Sequence, residues 1–544
     1  MNEVALASAP VAERHADAPP ATAKGWVPFV AFALPFALLV GASMYLLRSA
    51  ELLAFSPQLV LIAAAMVFPL APRRIRSNKY LALSASLAIL ASLALVAVML
   101  VGDVFARGPL FLLGAPSLTI AGGSLKIDAF ALTFDLIFLG AGLLVAIASW
   151  SNEIQRTTYQ GVYFMLLLLT LVGATIVASA ASLITIFLGL ELAGISTYAM
   201  VAFVKTNKLA SEAAMKYYLI GSTSTALVLF GLSYLYGVTG SLDIETISRR
   251  LAGVSASDGG VVVAIAFLVG GFGFKMAAVP FHLWAPDTYE GAPSPVSALL
   301  AAGTKKMGFA AAFKVIVVGM VAARAEWSVL FGLLAILTMT IGNTAAVRQT
   351  SFKRLLAYSS IAQAGYILVA LSIAGAGGRA GDTAVAAGIF HSLTHMVMKS
   401  GAFILVGLFV ALQVGEDIED LRGLRTRAPF TTFALIVLML SLVGFPLLAG
   451  FWSKYYIALA GIEAGGYYWW LVAALLLNSA YSLYYYARVI RVAWFEEAPK
   501  GAPELHEPWH LKLALILVVG FVLLVGLFPE PFFVLSQAAA QALF

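Results

Sequence analysis

Apolar runs of about 20 residues recur from Trp26 to the end of the chain, separated by short polar connections. A run of that length crosses the hydrocarbon of a bilayer as a helix. Inside lipid, only helices and closed barrels satisfy every backbone polar group. The runs lie at about 26–47, 55–72, 80–101, 127–149, 159–179, 182–204, 216–237, 261–284, 295–322, 327–346, 354–375, 384–412, 430–459, 467–493 and 511–536. They predict an all-α polytopic membrane protein of about fifteen transmembrane helices. Composition agrees: 61% of the 544 residues are hydrophobic and 11% charged, against roughly 45–50% and 25% in soluble domains.

Residues 1–25 are polar and rich in Ala, Pro and Glu, and read as a flexible tail. Trp26–Leu47 is too long and too weakly flanked by positive charge for a cleaved signal peptide, and is expected to remain as an extra N-terminal helix. Residues 50–544 then form one transmembrane domain. The longest polar stretches, Ser241–Gly260 and Phe495–His510, leave no room for an inserted soluble domain. The chain has no cysteine, which excludes disulfides, thiolate-bound iron–sulfur clusters and zinc–thiolate sites within it.

The net charge of +6 is a topology signal rather than a nucleic-acid signal. One set of alternate loops holds Arg73, Arg74, Arg76, Lys79, Arg156, Lys205, Lys208, Arg348, Lys353, Arg354, Arg422, Arg425, Arg427, Arg488 and Arg491. The other holds Arg48, Arg107, Lys126, Arg249, Arg250, Arg324 and Arg379. The richer side is expected to be cytoplasmic. An odd number of spans then puts the N-terminus in the cytoplasm and the C-terminus outside.

Ionisable groups within membrane spans are costly and mark function. Glu191 lies in ITIFLGLELAGISTYAMV, and Lys216 opens the next run in SEAAMKYYLIG. Lys275 precedes Pro280 in GGFGFKMAAVPFHLW, and Lys454 follows Gly444, Pro446 and Gly450 in GFPLLAGFWSK. Lys305 and Lys306 lie in AAGTKKMGF. Asp135 is a weaker candidate. Proline removes a backbone donor, and irregular backbone at membrane depth survives only where it is packed in protein or lines a cavity. Two broken helices, each with one lysine, are therefore expected, as in transporters built from repeats. Lys216, near a helix end, also suits a snorkelling side chain.

His391, His395 and Lys399 follow one another at four-residue spacing in HSLTHMVMK. At about 100° per residue the drift is roughly 40° per step, so all three share one helix face. A stripe of two imidazoles and an amine suits a proton relay, because histidine accepts on one nitrogen while donating from the other. Two rivals stand beside it. Histidines at i, i+4 suit zinc, although the HExxH glutamate and nearby Cys or Asp ligands are missing. A helix tied to its neighbours by hydrogen bonds is the plainer alternative.

On these residues the chain resembles the antiporter-like membrane subunits of respiratory complex I, most closely subunit N of NADH–quinone oxidoreductase. The stretches that carry the resemblance are LGLELAGISTYAMVAF, SEAAMKYYLIGSTSTALVLFGLSYLYGVTGS, GFGFKMAAVPFHLWAPDTYEGAPSPVSALLAAGTKKMGF, FKRLLAYSSIAQAGYILVA and LSLVGFPLLAGFWSKYYI. The resemblance implies a fourteen-helix core with two inverted five-helix repeats and a broken helix in each. It places Glu191, Lys216, Lys275, Lys305 and Lys454 at the family's charged pathway positions. HSLTHMVMKSGAF looks more like subunits L and M, which points to an archaeal-type or otherwise divergent complex.

The resemblance implies a proton-translocating subunit in the cell's inner (plasma) membrane, one that does no redox chemistry itself. Antiporter-like neighbours of the M and K types and membrane lipids are its expected partners, and nucleic acid is not. It implies no cofactor, metal or catalytic residue in this chain, with flavin, iron–sulfur clusters and quinone in partner subunits. The alternatives are a subunit of a multisubunit sodium/proton antiporter or of a membrane-bound hydrogenase, and a structural spacer that moves nothing.

Overall fold

Each long apolar run folds as helix, because helix is the local way to pair backbone groups in lipid. The computed structural model describes residues 50–70, 78–104, 117–151, 159–500, 502 and 505–544. The expected tail at 1–25 and the extra helix at 26–47 lie outside the described residues, as do Arg48, Arg73, Arg74, Arg76, Arg107 and Arg156.

The first half of the chain begins with α1 (Ser56–Val67) and α2 (Asn78–Val104). A small antiparallel hairpin follows, β1 (Leu118–Ile120) and β2 (Leu125–Ile127), which the apolar pattern did not foretell. Then come α3 (Ala129–Ala148), α4 (Gln160–Ser179), α5 (Leu183–Val201), α6 (Lys208–Thr239), the short amphipathic α7 (Ile244–Leu251) and α8 (Gly259–Met276). Helix α9 (Trp284–Gly291) completes the first broken helix. A continuous helical run, α10, is built from Ser294–Ala298, Leu299–Thr304, Lys305–Ala312 and Phe313–Gly319.

The second half contains α11 (Arg324–Val347), α12 (Phe352–Ala374) and α13 (Gly378–Ala411). The second broken helix is α14 (Pro429–Val443) with α15 (Ala449–Ala464). The chain continues through α16 (Tyr468–Phe495), α17 (Trp509–Leu527) and α18 (Glu530–Leu543). Ten helices among the described residues are long and apolar enough to cross a membrane.

Three boundaries differ from the sequence expectation. Lys216 does not open its span: α6 starts two turns earlier, where the Asn207 side chain accepts from the amides of Leu209 and Ala210. The run at 295–322 is not a plain α-helix. Its segments Leu299–Thr304 and Phe313–Gly319 are wide π-turns, a local form that apolar periodicity does not reveal. The last run, 511–536, is two helices, because Pro529 and Pro531 cannot continue α17.

Helices α12 and α13 form the centre and are buried along almost their whole length. Helix α13 packs against α3, α10, α12, α14, α15, α17 and α18. Close backbone approach fixes α5. A Cβ on Gly189 would lie 2.8 Å from the Gly173 carbonyl oxygen of α4, so only a small residue lets the two helices meet.

Candidate functional site

The first break is closed by α8's own backbone. The amides of Ala277 and Ala278 donate back to Phe274 and Gly273 at 2.9 and 2.8 Å. Ala277 takes the left-handed conformation, φ 56°, a sparsely populated state for a residue with a Cβ. Trp284 Nε1, across the gap, donates to the Phe274 carbonyl at 3.1 Å. Lys275 therefore sits in the last turn before the break. It is 6% exposed, and its Nζ lacks a hydrogen-bond partner among the described residues. The rings of Tyr198 and Phe274 lie 5.7 Å away.

Helix α5 makes room for that amine. A Cβ on Gly194 would stand 3.1 Å from Lys275 Nζ. Glu191 lies three residues earlier on the same helix, so the two share a face. The Glu191 carboxylate acts electrostatically on Lys275 without forming an ion pair. Its hydrogen-bond donor is Thr225 Oγ1 of α6, at 2.6 Å. Glu191 is half-buried, at the edge of the bundle.

Lys216 is elsewhere. It is 45% exposed and pairs with Glu212 at 2.7 Å and Asp287 at 2.8 Å. Arg354 reaches Asp287 at 3.2 Å and also pairs with Glu290. These residues line an open pocket of 280 Å³ on the side that carries Lys353 and Arg354. Lys216, which the resemblance put among the pathway positions, thus pairs with Glu212 and Asp287 rather than with Glu191.

Beyond the first break the chain brings the remaining candidates together. Lys305 is 2% exposed and donates to Ser360 Oγ at 2.9 Å and to the Ser360 carbonyl at 3.1 Å. Lys306, fully buried, donates to the Ala301 carbonyl at 2.7 Å. That acceptor is five residues back, within the π-turn. His391, His395 and Lys399 are all 0% exposed on α13. The two imidazoles stack with centroids 5.8 Å apart. His391 Nδ1 meets Ser453 Oγ of α15 at 2.9 Å. His391 Nε2 and both His395 nitrogens lack partners among the described residues. Lys399 donates to Ser359 Oγ at 2.6 Å and to the Leu356 carbonyl at 3.0 Å.

The second break ends the row. Gly444, at φ 95°, closes α14. Lys454, one turn into α15, reaches back over the gap. Its Nζ donates to Leu442 O at 3.0 Å, Val443 O at 2.6 Å and Ser479 Oγ at 2.9 Å. The Tyr366 ring lies 4.5 Å from that amine.

The row thus joins Lys305, Lys306, the α13 stripe and Lys454, which lie within electrostatic reach of one another. Lys275, with Glu191 beside it, lies against Gly308, about one turn from Lys305, and Lys216 lies outside. No carboxylate is hydrogen-bonded or ion-paired to Lys305, Lys306, His391, His395, Lys399 or Lys454 among the described residues. Several like charges cannot be held together in a dry interior without a counter-ion. The row therefore presents buried amines and imidazoles with no bound counter-ion among the described residues.

The sequence reading left out part of the lining. Ser359, Ser360 and Gln363 of α12 supply hydroxyls and an amide along the row. Their signal was small polar residues inside an apolar run, AYSSIAQAGY. His282 sits 9% exposed in the first break, within electrostatic reach of Lys305.

The NADH:quinone oxidoreductase/Mrp antiporter transmembrane family matches residues 180–480. The F(420)H(2) dehydrogenase subunit N of Methanosarcina mazei is 41% identical over 508 residues, covering 91% of this chain and 99% of its own length. The NADH-quinone oxidoreductase subunit N 2 of Solibacter usitatus is 39% identical and covers 78% of this chain and 85% of its own. A chain of respiratory complex I from Thermus thermophilus, solved with bound aureothin, superposes with TM-score 0.70 at 28% identity, over 87% of this chain and 97% of that one. The matched segment contains both broken helices and every group of the row between them, and the chain belongs to the NADH:quinone oxidoreductase/Mrp antiporter family of transmembrane proteins.

Proposed function

We propose that this chain is the N-type proton-translocating membrane subunit of a complex I-type respiratory dehydrogenase. The observation that carries this reading is the buried row of amines and imidazoles with no carboxylate bound to it. Such a row moves protons by passing a deficit from site to site. The relatives' names support the assignment: each is a subunit N of a dehydrogenase or oxidoreductase.

A proton taken up from the cytoplasm loads Lys275. The Glu191 carboxylate across the Gly194 gap holds or releases it. From there the proton passes by Lys305 and His282 to the stacked His395 and His391, with Lys399 beside them. It reaches Lys454 and leaves to the outside. Water links the steps where polar atoms lack partners. Against a driving force of about 200 mV, moving one charge costs roughly 4.6 kcal/mol. The redox steps that supply this energy belong to partner subunits holding flavin, iron–sulfur clusters and quinone.

Antiporter-like neighbours of the M and K types are the proposed contacts. Half-buried Glu191, at the bundle edge, is a place where a neighbour's charge reaches the row. The proposed setting is the plasma membrane, with the N-terminus cytoplasmic and the C-terminus outside.

The test is Lys275→Ala in the assembled complex within closed vesicles. Protons moved per electron are expected to fall while electron transfer and assembly persist. Unchanged stoichiometry removes this reading and favours a structural spacer.

A further inference from the structure

Lys314 is a buried amine that the row does not use. It lies 5% exposed in the second π-turn of α10. Its Nζ donates to the Ala180 carbonyl at 2.8 Å and stands 5.3 Å from the Phe130 ring centroid. Three charged groups act on it: Asp128, which caps the N-terminus of α3 by accepting from the Ala131 amide, Asp135 of α3, and Lys126 of β2. None of them forms an ion pair with it. Lys126, Asp128, Glu245 and Lys314 line a pocket of 40 Å³, with the Lys126–Glu245 ion pair, 3.1 Å, at its more exposed end.

A second set of polar atoms leads inward from Lys314. Asp135 lies two turns along α3 from Asp128, about 10 Å deeper. It is 1% exposed, and Gln58 Nε2 donates to its Oδ2 at 3.0 Å. Asp135 Oδ1, Gln58 Oε1 and Thr133 Oγ1 are buried with no partner among the described residues. Further in, α3 meets the stripe helix: a Cβ on Gly140 would stand 3.0 Å from the Met396 methyl, next to His395.

An orphaned carboxylate oxygen at membrane depth is costly unless it is protonated or hydrated. A lysine whose job were only to cap Ala180 would not call for a second acid buried behind it.

We propose that Asp135, Lys314 and Asp128 form a second outward proton branch, leaving the row near His395 and opening at the Lys126–Glu245 pair, separate from Lys454. Asp135 takes a proton from the interior through water held by its orphaned oxygen. Lys314 accepts that proton as its neutral amine becomes ammonium. It then gives a proton through pocket water to Asp128 and the outer face, which resets both groups. No co-reactant is needed.

This branch rests on the proton-translocating reading, and the test separates the two. Lys314→Arg keeps a donor for Ala180 but never gives up its proton. Asp135→Asn keeps the shape of the acid and removes its titration. Each is placed in the assembled complex in closed vesicles beside Lys275→Ala. The expected result is a loss of protons per electron in both, smaller than the Lys275→Ala loss because the Lys454 exit remains, with electron transfer retained. The redox-difference infrared spectrum of Asp135→Asn is expected to lose a protonated-carboxyl band. Full stoichiometry in Lys314→Arg and Asp135→Asn, with Lys275→Ala impaired, overturns the branch alone. Full stoichiometry in all three overturns the function and the branch together.

Discussion

The Lys454 amine donates at 2.6 Å to the Val443 carbonyl, on the far side of the break that precedes its own helix. The last turn of α14 leaves carbonyls without intrahelical partners. Phe445 N and Gly444 N serve Leu440 and Ser441, while Lys454 serves Leu442 and Val443. The amine at the end of the row thus also closes a helix C-terminus, supplying donors to its last carbonyls.

Lys454→Met should separate these two roles. Gln363 and Ser479 still donate to Leu442 O and Val443 O, at 2.8 and 2.7 Å. The stability loss is therefore expected to be about 1 kcal/mol, the value of one ordinary hydrogen bond. Proton translocation is expected to fall far more than that. Thermal unfolding of the purified complex, set beside vesicle acidification, checks the contrast.

Gly194→Ala adds a Cβ 3.1 Å from Lys275 Nζ. The flexible lysine end can give way, so folding should persist. The amine is then pushed off the α5 face that carries Glu191. Protons per electron are expected to drop with assembly intact, and equal pumping in this variant would show that the Glu191–Lys275 approach is not used.

At Gly189 the same operation meets backbone rather than a mobile side chain. A Val there collides with Gly173 and Val177 of α4. Overpacking of this kind costs about 1–3 kcal/mol. Both the yield of assembled complex and its melting temperature should fall, before any effect on transport is considered.

Glu507 gives a pH dependence outside the bundle. Burial pushes its carboxyl up, but Lys512 at 2.6 Å and the Thr431 hydroxyl and amide outweigh burial and hold it below the usual carboxylate range. A carboxyl lowered in this way stabilises the fold above its unfolded value, near 4.3. The contribution is lost as pH falls through the lower, folded value. Glu507→Gln should therefore lower the melting temperature at about pH 7, and the difference from the parent should shrink as pH falls through the folded value. Because the Thr431 amide belongs to the first turn of α14, the cost at pH 7 is expected to be about 1 kcal/mol, as for a helix cap.

How much of this was readable beforehand depends on sequence distance. Both broken helices were legible, because glycine and proline interrupt apolar runs at Lys275 and Lys454. The α13 stripe was legible from its four-residue spacing alone. The partners were not. Asp287 lies 71 residues from Lys216, and Ala180 lies 134 from Lys314. No local pattern reports a contact across that distance. Lys314 escaped notice for a further reason: residues 307–313 separate it from Lys305 and Lys306 with an apolar stretch, and no ionisable residue lies three or four positions from it. The wide turns of α10 were hidden because the spacing of apolar residues does not report which carbonyl each amide reaches.

The central placement of α13 has a consequence for biosynthesis. Several helices that bury it, α14, α15, α17 and α18, are translated after it. His391 therefore leaves the ribosome before its partner Ser453 of α15, whereas Lys399 finds Leu356 and Ser359 on α12 already made. Insertion of this helix cannot be settled one segment at a time by partition into lipid. It depends on the earlier helices α3, α10 and α12, which pack against α13. A truncation before Trp509 should accordingly expose the stripe to quality-control proteolysis rather than yield a stable, smaller bundle.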